Sequence, residues 1–171
     1  EQQRFVYGNY IDEPILMVAD SVEYQYLHDH LYNTVALTTS IGTPYERYEY
    51  DAYGNCQVLD GSYNPKAASD IDNPYLFTGR RLDILNDGSL KLQYNRNRYY
   101  DLSTGRWLTP DPMQYVDGMN LYEYAASMPT AVLDPLGLAS LSLKAKAKGV
   151  LWRLHRMHAG IMSKRIDRYR Y

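Results

Sequence analysis

Cysteine is almost missing from this sequence: of 171 residues only Cys56 carries a thiol. A lone cysteine forms no disulfide within the chain, and no Cys/His spacing has the pattern of a zinc site. Phenylalanine and tryptophan are scarce as well, with two of each. No run of about 18 apolar residues is present to span a bilayer as a helix, and no signal-like apolar core is visible. The chain opens on Glu1 without an initiator Met, the look of a fragment or of a chain whose beginning has been removed.

What is plentiful is tyrosine, at 19 residues. Tyrosine favours strands, its ring packs, and its hydroxyl seeks a partner, so the composition predicts a mainly β protein with hydrated, tyrosine-covered sheet faces. The length suits one domain with room for an appendage. The net charge of -2 hides a division: residues 139–171 hold nine Lys/Arg and one acid, Asp167, whereas residues 1–138 hold nine basic and nineteen acidic side chains. A +8 tail therefore follows a -10 domain, an asymmetry that points to an acidic partner, a membrane or nucleic acid for the basic piece.

Along the chain, short β-prone runs alternate with turn chemistry. Pro14 to Val18 is a continuous apolar run, the pattern of a strand buried on both faces. Val22, Tyr24, Tyr26 and His28 share one face of the next strand by the period of two. Asn33–Thr39 is a third strand, and Arg47–Asp51 a fourth that closes at Tyr53-Gly54-Asn55. Residues 60–74, rich in Gly, Ser, Asn, Asp and Pro, read as a surface loop with little to bury. Leu82–Leu85 and Leu90–Tyr94 flank Asn86-Asp87-Gly88 as a hairpin, and Asn97–Asp101 pairs with Arg106–Leu108 as a second. The sheet is therefore mostly antiparallel and built from sequence neighbours. Tyr50-Asp51 before Gly54 and Tyr100-Asp101 before Gly105 form a weak internal repeat.

Beyond Leu138 the pattern becomes helical. Leu143, Val150, Leu151, Leu154, Met157, Ile161, Met162 and Ile166 recur at steps of three and four, with Lys and Arg mainly off that stripe. This predicts a basic amphipathic helix from about Leu141 to Arg168, bent at Gly149. Thirty-three residues are too few for an ordinary enzyme domain. Such a helix with Trp152 docks on its own acidic domain, lies on an anionic membrane or binds nucleic acid; charge complementarity favours the first and leaves nucleic acid the last of the three.

The stretch from Arg98 to Leu138 organises the rest. It carries two Asp-Pro turns, Asp111-Pro112 and Asp134-Pro135, and a sharp stop at Pro135-Leu136-Gly137-Leu138. Its motifs RYYD, TGRWLTPDP, DGMNLYEYA with Pro129, and DPLGL resemble the end of the Rhs/YD-repeat core of bacterial toxin systems. YLHDHLYNTVALT and ERYEYDAYGN upstream are similar to the YD-repeat segment before that core. The resemblance covers residues 1–138 and implies a β-ribbon that spirals into a shell, with the core curled inward as a plug. It divides the chain into a YD-repeat region, 1–95, an Rhs-associated core, 96–138, and a variable tail, 139–171.

The resemblance also implies a single-turnover aspartic autoprotease, with catalytic carboxylates at Asp111 and Asp134, an assisting arginine at Arg98, and the cut between Leu138 and Ala139. No cofactor or metal is implied. The implied partners are the remainder of a shell or an oligomer, a secretion machine and an immunity protein, in a secreted or cell-surface bacterial setting. The residues agree chemically. Two carboxylates close together resist double ionisation, so one serves as base toward water and the other as acid toward the carbonyl. Each precedes a proline, which biases it away from helical backbone, and Arg98 can grip one by a two-pronged pair. One position departs from the pattern: the first turn reads Asp-Pro-Met-Gln where Asp-Pro-x-Gly is usual, so Gln114 is expected to distort it.

Asp-Pro is also an ordinary turn sequence, which leaves a non-catalytic structural or adhesive YD-repeat module as the alternative. His28-Asp29-His30 reads as surface polarity, not as a metal site. Ser103 and Ser127 lack a His and Asp arrangement for nucleophilic catalysis.

Overall fold

The computed structural model describes residues 3–9, 13–116, 118–138 and 141–142. Seven strands follow one another as an antiparallel meander: β1 (Arg4–Tyr7), β2 (Pro14–Ala19), β3 (Val22–His28), β4 (Thr34–Thr39), β5 (Pro44–Tyr50), β6 (Cys56–Asp60) and the short β7 (Pro65–Lys66). A second sheet holds β8 (Arg81–Leu85), β9 (Leu90–Tyr94), β10 (Tyr99–Asp101) and β11 (Arg106–Trp107), again antiparallel and in chain order. The last pair, β12 (Val132–Leu133) with β13 (Leu141–Ser142), closes the described chain. The fold is thus mainly β and antiparallel, with every sheet built from consecutive strands.

Sequence-neighbour pairing is helped by a turn device used at four of the connections between paired strands. Asp29, Asp51, Asp60 and Asp101 each turn a carboxylate oxygen back onto the backbone N–H two residues ahead, on Leu31, Tyr53, Ser62 and Ser103. The first three also receive the N–H four residues ahead, on Asn33, Asn55 and Asn64. An aspartate satisfied by its own turn reverses the chain without tertiary help. The two units seen as a repeat, at Asp51 and Asp101, belong to this set; Asp29 and Asp60 complete it.

The sheets meet over an aromatic core. Met17, Tyr24, Tyr26, Leu37 and Tyr48 from the meander pack with Phe77, Tyr100, Trp107 and Tyr124. Tyr100 lies 4.2 Å from Tyr124 and 5.5 Å from Trp107, centroid to centroid. The expected hydrated tyrosine faces are therefore corrected in part: Tyr24, Tyr26, Tyr48, Tyr100 and Tyr124 are core residues. Their rings supply apolar area, and hydroxyls find internal acceptors, as Tyr26 does on Asn73 Oδ1 (2.6 Å) and Tyr100 on the Tyr53 carbonyl (2.9 Å). Gly54, with φ +92°, sits where any Cβ would fall 2.4 Å from the Phe77 ring, so this turn requires glycine. Cys56 is half-buried beside Tyr50, and burial pushes its thiol up to about 12.

Three further expectations differ from what is observed. Pro14–Val18 is not buried on both faces: Ile15 is 45% exposed, because a meander leaves one face of its sheet open to water. Residues 60–74 are not a loop with little to bury. β7 and the residues after it wrap the fully buried Glu46 carboxylate, which accepts from Lys66 Nζ, Ser69 Oγ, the Asp70 N–H and the Tyr48 hydroxyl, each at 2.7 Å. A buried carboxylate is tolerated only when its lone pairs are filled, and this segment fills them. Finally, the helix expected from about Leu141 does not begin there, since Leu141 and Ser142 pair with β12; residues 143–168 of that helix lie outside the described residues.

Candidate active site

Arg98 closes the β9–β10 hairpin. The four-residue turn Asn95-Arg96-Asn97-Arg98 is drawn shut by the Asn95 N–H donating to the Arg98 carbonyl at 3.0 Å, which sends the Arg98 side chain inward. Its guanidinium lies 4.1 Å from the centre of the Trp107 ring, a cation–π contact in a nearly water-free place. One nitrogen, Nη2, then meets two carboxylates: Asp111 Oδ2 at 2.8 Å and Asp134 Oδ2 at 3.1 Å. The side chains of Arg98 and Asp134 are each 2% exposed and that of Asp111 is 10% exposed. The three residues singled out in the sequence are thus brought together. The grip differs from the one expected, because a single nitrogen is shared between two carboxylates and no two-pronged pair to one of them forms.

Both aspartates stand at the head of the same turn. In the first, the Gln114 N–H donates to the Asp111 carbonyl at 3.0 Å and the Met113 N–H to Asp111 Oδ1 at 2.7 Å. In the second, the Gly137 N–H reaches the Asp134 carbonyl at 3.4 Å and the Leu138 N–H reaches Asp134 Oδ1 at 3.1 Å. Gln114 has φ +59° and Gly137 φ +65°, so the last residue of each turn is left-handed. Gln114 does not distort the turn as expected. It takes the backbone that a glycine would take, at a local cost of ~1 kcal/mol or more.

The segment Asp134–Leu138 is buried through Gly137 and gripped along its length. Asn95 Nδ2 donates to the Asp134 carbonyl (2.9 Å), Asn97 Nδ2 to the Leu136 carbonyl (2.7 Å) and Arg98 Nε to the Gly137 carbonyl (2.7 Å). Sequence reasoning missed Asn95 and Asn97. The Asn-Arg-Asn-Arg run ahead of RYYD was the available signal, a density of side-chain donors with no strand or turn demanding all of them. Leu138 is half-buried, and Ala139 lies outside the described residues. Chemically, the arrangement holds two acids on one cation, and one of them, Asp134, accepts the backbone N–H of Leu138.

Away from this site, His28 is half-buried and stacks on Tyr26 at 5.7 Å, with burial lowering its pKa below the usual histidine range. The carboxylate of Asp29 is engaged by its own turn and by Asn33 Nδ2. Among the described residues no group of three metal-ligating side chains occurs.

A mainly antiparallel β fold with two Asp-Pro turns converging on a buried arginine is the class these observations define. No protein-family model matches the sequence. Among curated proteins, it is 37% identical over 91 residues to YlbH of Escherichia coli K12, covering 53% of this chain and 34% of that protein. It is 30% identical over 130 residues to the toxin subunit YenC1 of Yersinia entomophaga, covering 75% of this chain and 12% of the subunit. The probable deoxyribonuclease RhsB of Dickeya dadantii is 33% identical over 106 residues, 60% of this chain and 7% of RhsB. The fold is shared with a Photorhabdus luminescens Tc holotoxin pore, at TM-score 0.64 and 20% identity, over 81% of this chain and 6% of that one. A crystal structure of TcdB2-TccC3 matches at TM-score 0.61 and 21% identity, over 80% and 7%. The chain is similar to Rhs/YD-repeat proteins, as an Rhs-associated module that matches part of such toxin subunits. It spans only 34% and 12% of the first two relatives.

Proposed function

We propose that this chain closes an Rhs/YD-repeat shell and hydrolyses its own backbone once, between Leu138 and Ala139. Residues 1–95 then act as the last YD-repeat strands, 96–138 as the protease core and 139–171 as the segment set free. In the reaction one aspartate of the pair draws a proton from water while the other gives one to the Leu138 carbonyl oxygen. The water is divided between the ends, its hydroxyl on the Leu138 carbonyl carbon and its remaining hydrogen on the Ala139 nitrogen as the C–N bond breaks. Arg98 holds the two acids in place and offsets their mutual repulsion. Because the bond belongs to the same chain, the substrate stands at high effective concentration and one turnover suffices.

The observation that carries this reading is the shared contact of Arg98 Nη2 with Asp111 and Asp134, with the second acid also accepting the Leu138 N–H. The setting is a secreted or surface-delivered bacterial assembly. The shell remainder, a delivery machine and an immunity protein are the partners, and the freed basic segment acts on an anionic membrane or stays on the acidic core. Intact mass of the purified chain tests the cut: a fragment ending at Leu138 and a basic 33-residue peptide are expected. With Asp134→Asn or Asp111→Asn the cut slows by about 10²–10⁴-fold. A natural chain that stays whole across about pH 4–8 overturns the reading.

One observation favours a second reading. A cation lodged between two buried carboxylates is also how an ion triad pins a turn to a sheet, with no chemistry at all. A whole chain whose unfolding nonetheless depends on Arg98 would be such a scaffold.

A further inference from the structure

We infer that Asn95 and Asn97 are positioning residues for the self-cleavage proposed above: they set which peptide bond is presented to the acids. The inference rests on that reading. Asn95 is fully buried, and its amide is oriented from behind by Gln93, whose Nε2 donates to Asn95 Oδ1 at 2.9 Å. So aimed, Asn95 Nδ2 holds the Asp134 carbonyl, and two positions along, Asn97 Nδ2 holds the Leu136 carbonyl. Arg98 takes the next carbonyl, that of Gly137. Three side chains of one tight turn thus hold three carbonyls of the segment ahead of the bond.

The far side of the bond is fixed by different means. Leu141 and Ser142 are strand partners of Leu133 and Val132. The backbone is thus anchored at Gly137, ahead of the bond, and again at Leu141, beyond it. The upstream hold sets the register. Asp134 is itself part of the clamped segment, four residues before the bond, so a slip of the segment would move an acid and its target together relative to Asp111. The donor amides of Asn95 and Asn97 oppose such a slip, because it would strand buried carbonyls without partners.

Asn97→Asp in the full chain tests this, since it keeps the shape of the side chain at a half-buried position and removes the donor. Cleavage is followed by intact mass during cell-free synthesis, and folding by thermal unfolding of the Asp134→Asn background. We expect a ~10–100-fold slower cut, with some molecules cut at bonds next to Leu138–Ala139, and recovery of part of the rate in Asn97→Gln, which restores a donor. A purely structural role would not move the cut site. Asn97→Ser, small and uncharged, serves as the second variant if the aspartate impairs folding. If the natural chain cuts and these variants cut as fast at the same bond, the positioning role is overturned while the self-cleavage reading stands. If the natural chain does not cut, both fall together.

Discussion

The two Asp-Pro turns share one backbone design and differ in surroundings. At 111–114 the turn sits at the surface, with Pro112 and Gln114 exposed; at 134–137 every residue is buried. The first spends its aspartate side chain on one N–H of its own turn and one contact to Arg98, and its backbone N–H on the Leu121 carbonyl. The second has its carbonyls held by Asn95, Asn97 and Arg98 as well. The lesson is that a similar local turn is an exposed bend in one place and a buried, gripped seat in the other, depending on what the neighbouring hairpin offers it. Arg98 joins the two, so the comparison is broken most directly there.

Replacing Arg98 by Met keeps much of the volume and leaves two acids without their shared cation. Removing one partner from a buried charge cluster costs about 3–5 kcal/mol. Urea denaturation of Arg98→Met should show a loss of that order, together with absence of the cut. A loss under about 1 kcal/mol would mean that the turns hold each other without the arginine.

Much of this architecture was legible beforehand, for reasons visible in particular residues. Asn86-Asp87-Gly88 between Leu82–Leu85 and Leu90–Tyr94 marks a hairpin through local chemistry alone, and β8 and β9 pair there. Arg98, Asp111 and Asp134 were found by a motif resemblance in chain order; turn chemistry by itself would have left them as bends. What escaped was long-range. Glu46 alternates with Tyr45 and Arg47 as an exposed acid would, and nothing local announces that residues 66–70 return to cover it. Asn95 and Asn97 gain their meaning from carbonyls 39 residues away. Pro14–Val18 misled in the opposite direction, because a run of apolar residues does not reveal that one face of its sheet stays open.

Gly137 sharpens the comparison at the seat. Beyond its positive φ, a Cβ there would stand 2.8 Å from the Asn95 carbonyl oxygen and 3.1 Å from the Arg98 nitrogen, both backbone atoms that cannot swing aside. Gly137→Ala should therefore cost about 2–4 kcal/mol, the left-handed strain and the clash acting together. Thermal unfolding checks the stability, and the cut should fail with it because the hairpin turn is pushed off the segment.

At the surface turn the same kind of exchange should run the other way. Gln114 already has the left-handed φ, its side chain is exposed, and it donates its N–H to Asp111 in the manner of the glycine at 137. Gln114→Gly relieves ~1 kcal/mol of backbone strain, from which the greater freedom of glycine in the unfolded chain subtracts a part. The net expectation is a gain of about 0.5 kcal/mol with the Asp111–Arg98 contact kept, read as a slightly higher urea midpoint at unchanged slope. If self-cleavage also quickens, strain at the surface turn was holding Asp111 off its working position; if stability falls instead, the glutamine side chain makes a contact that outweighs the strain, and the two turns differ in more than their surroundings.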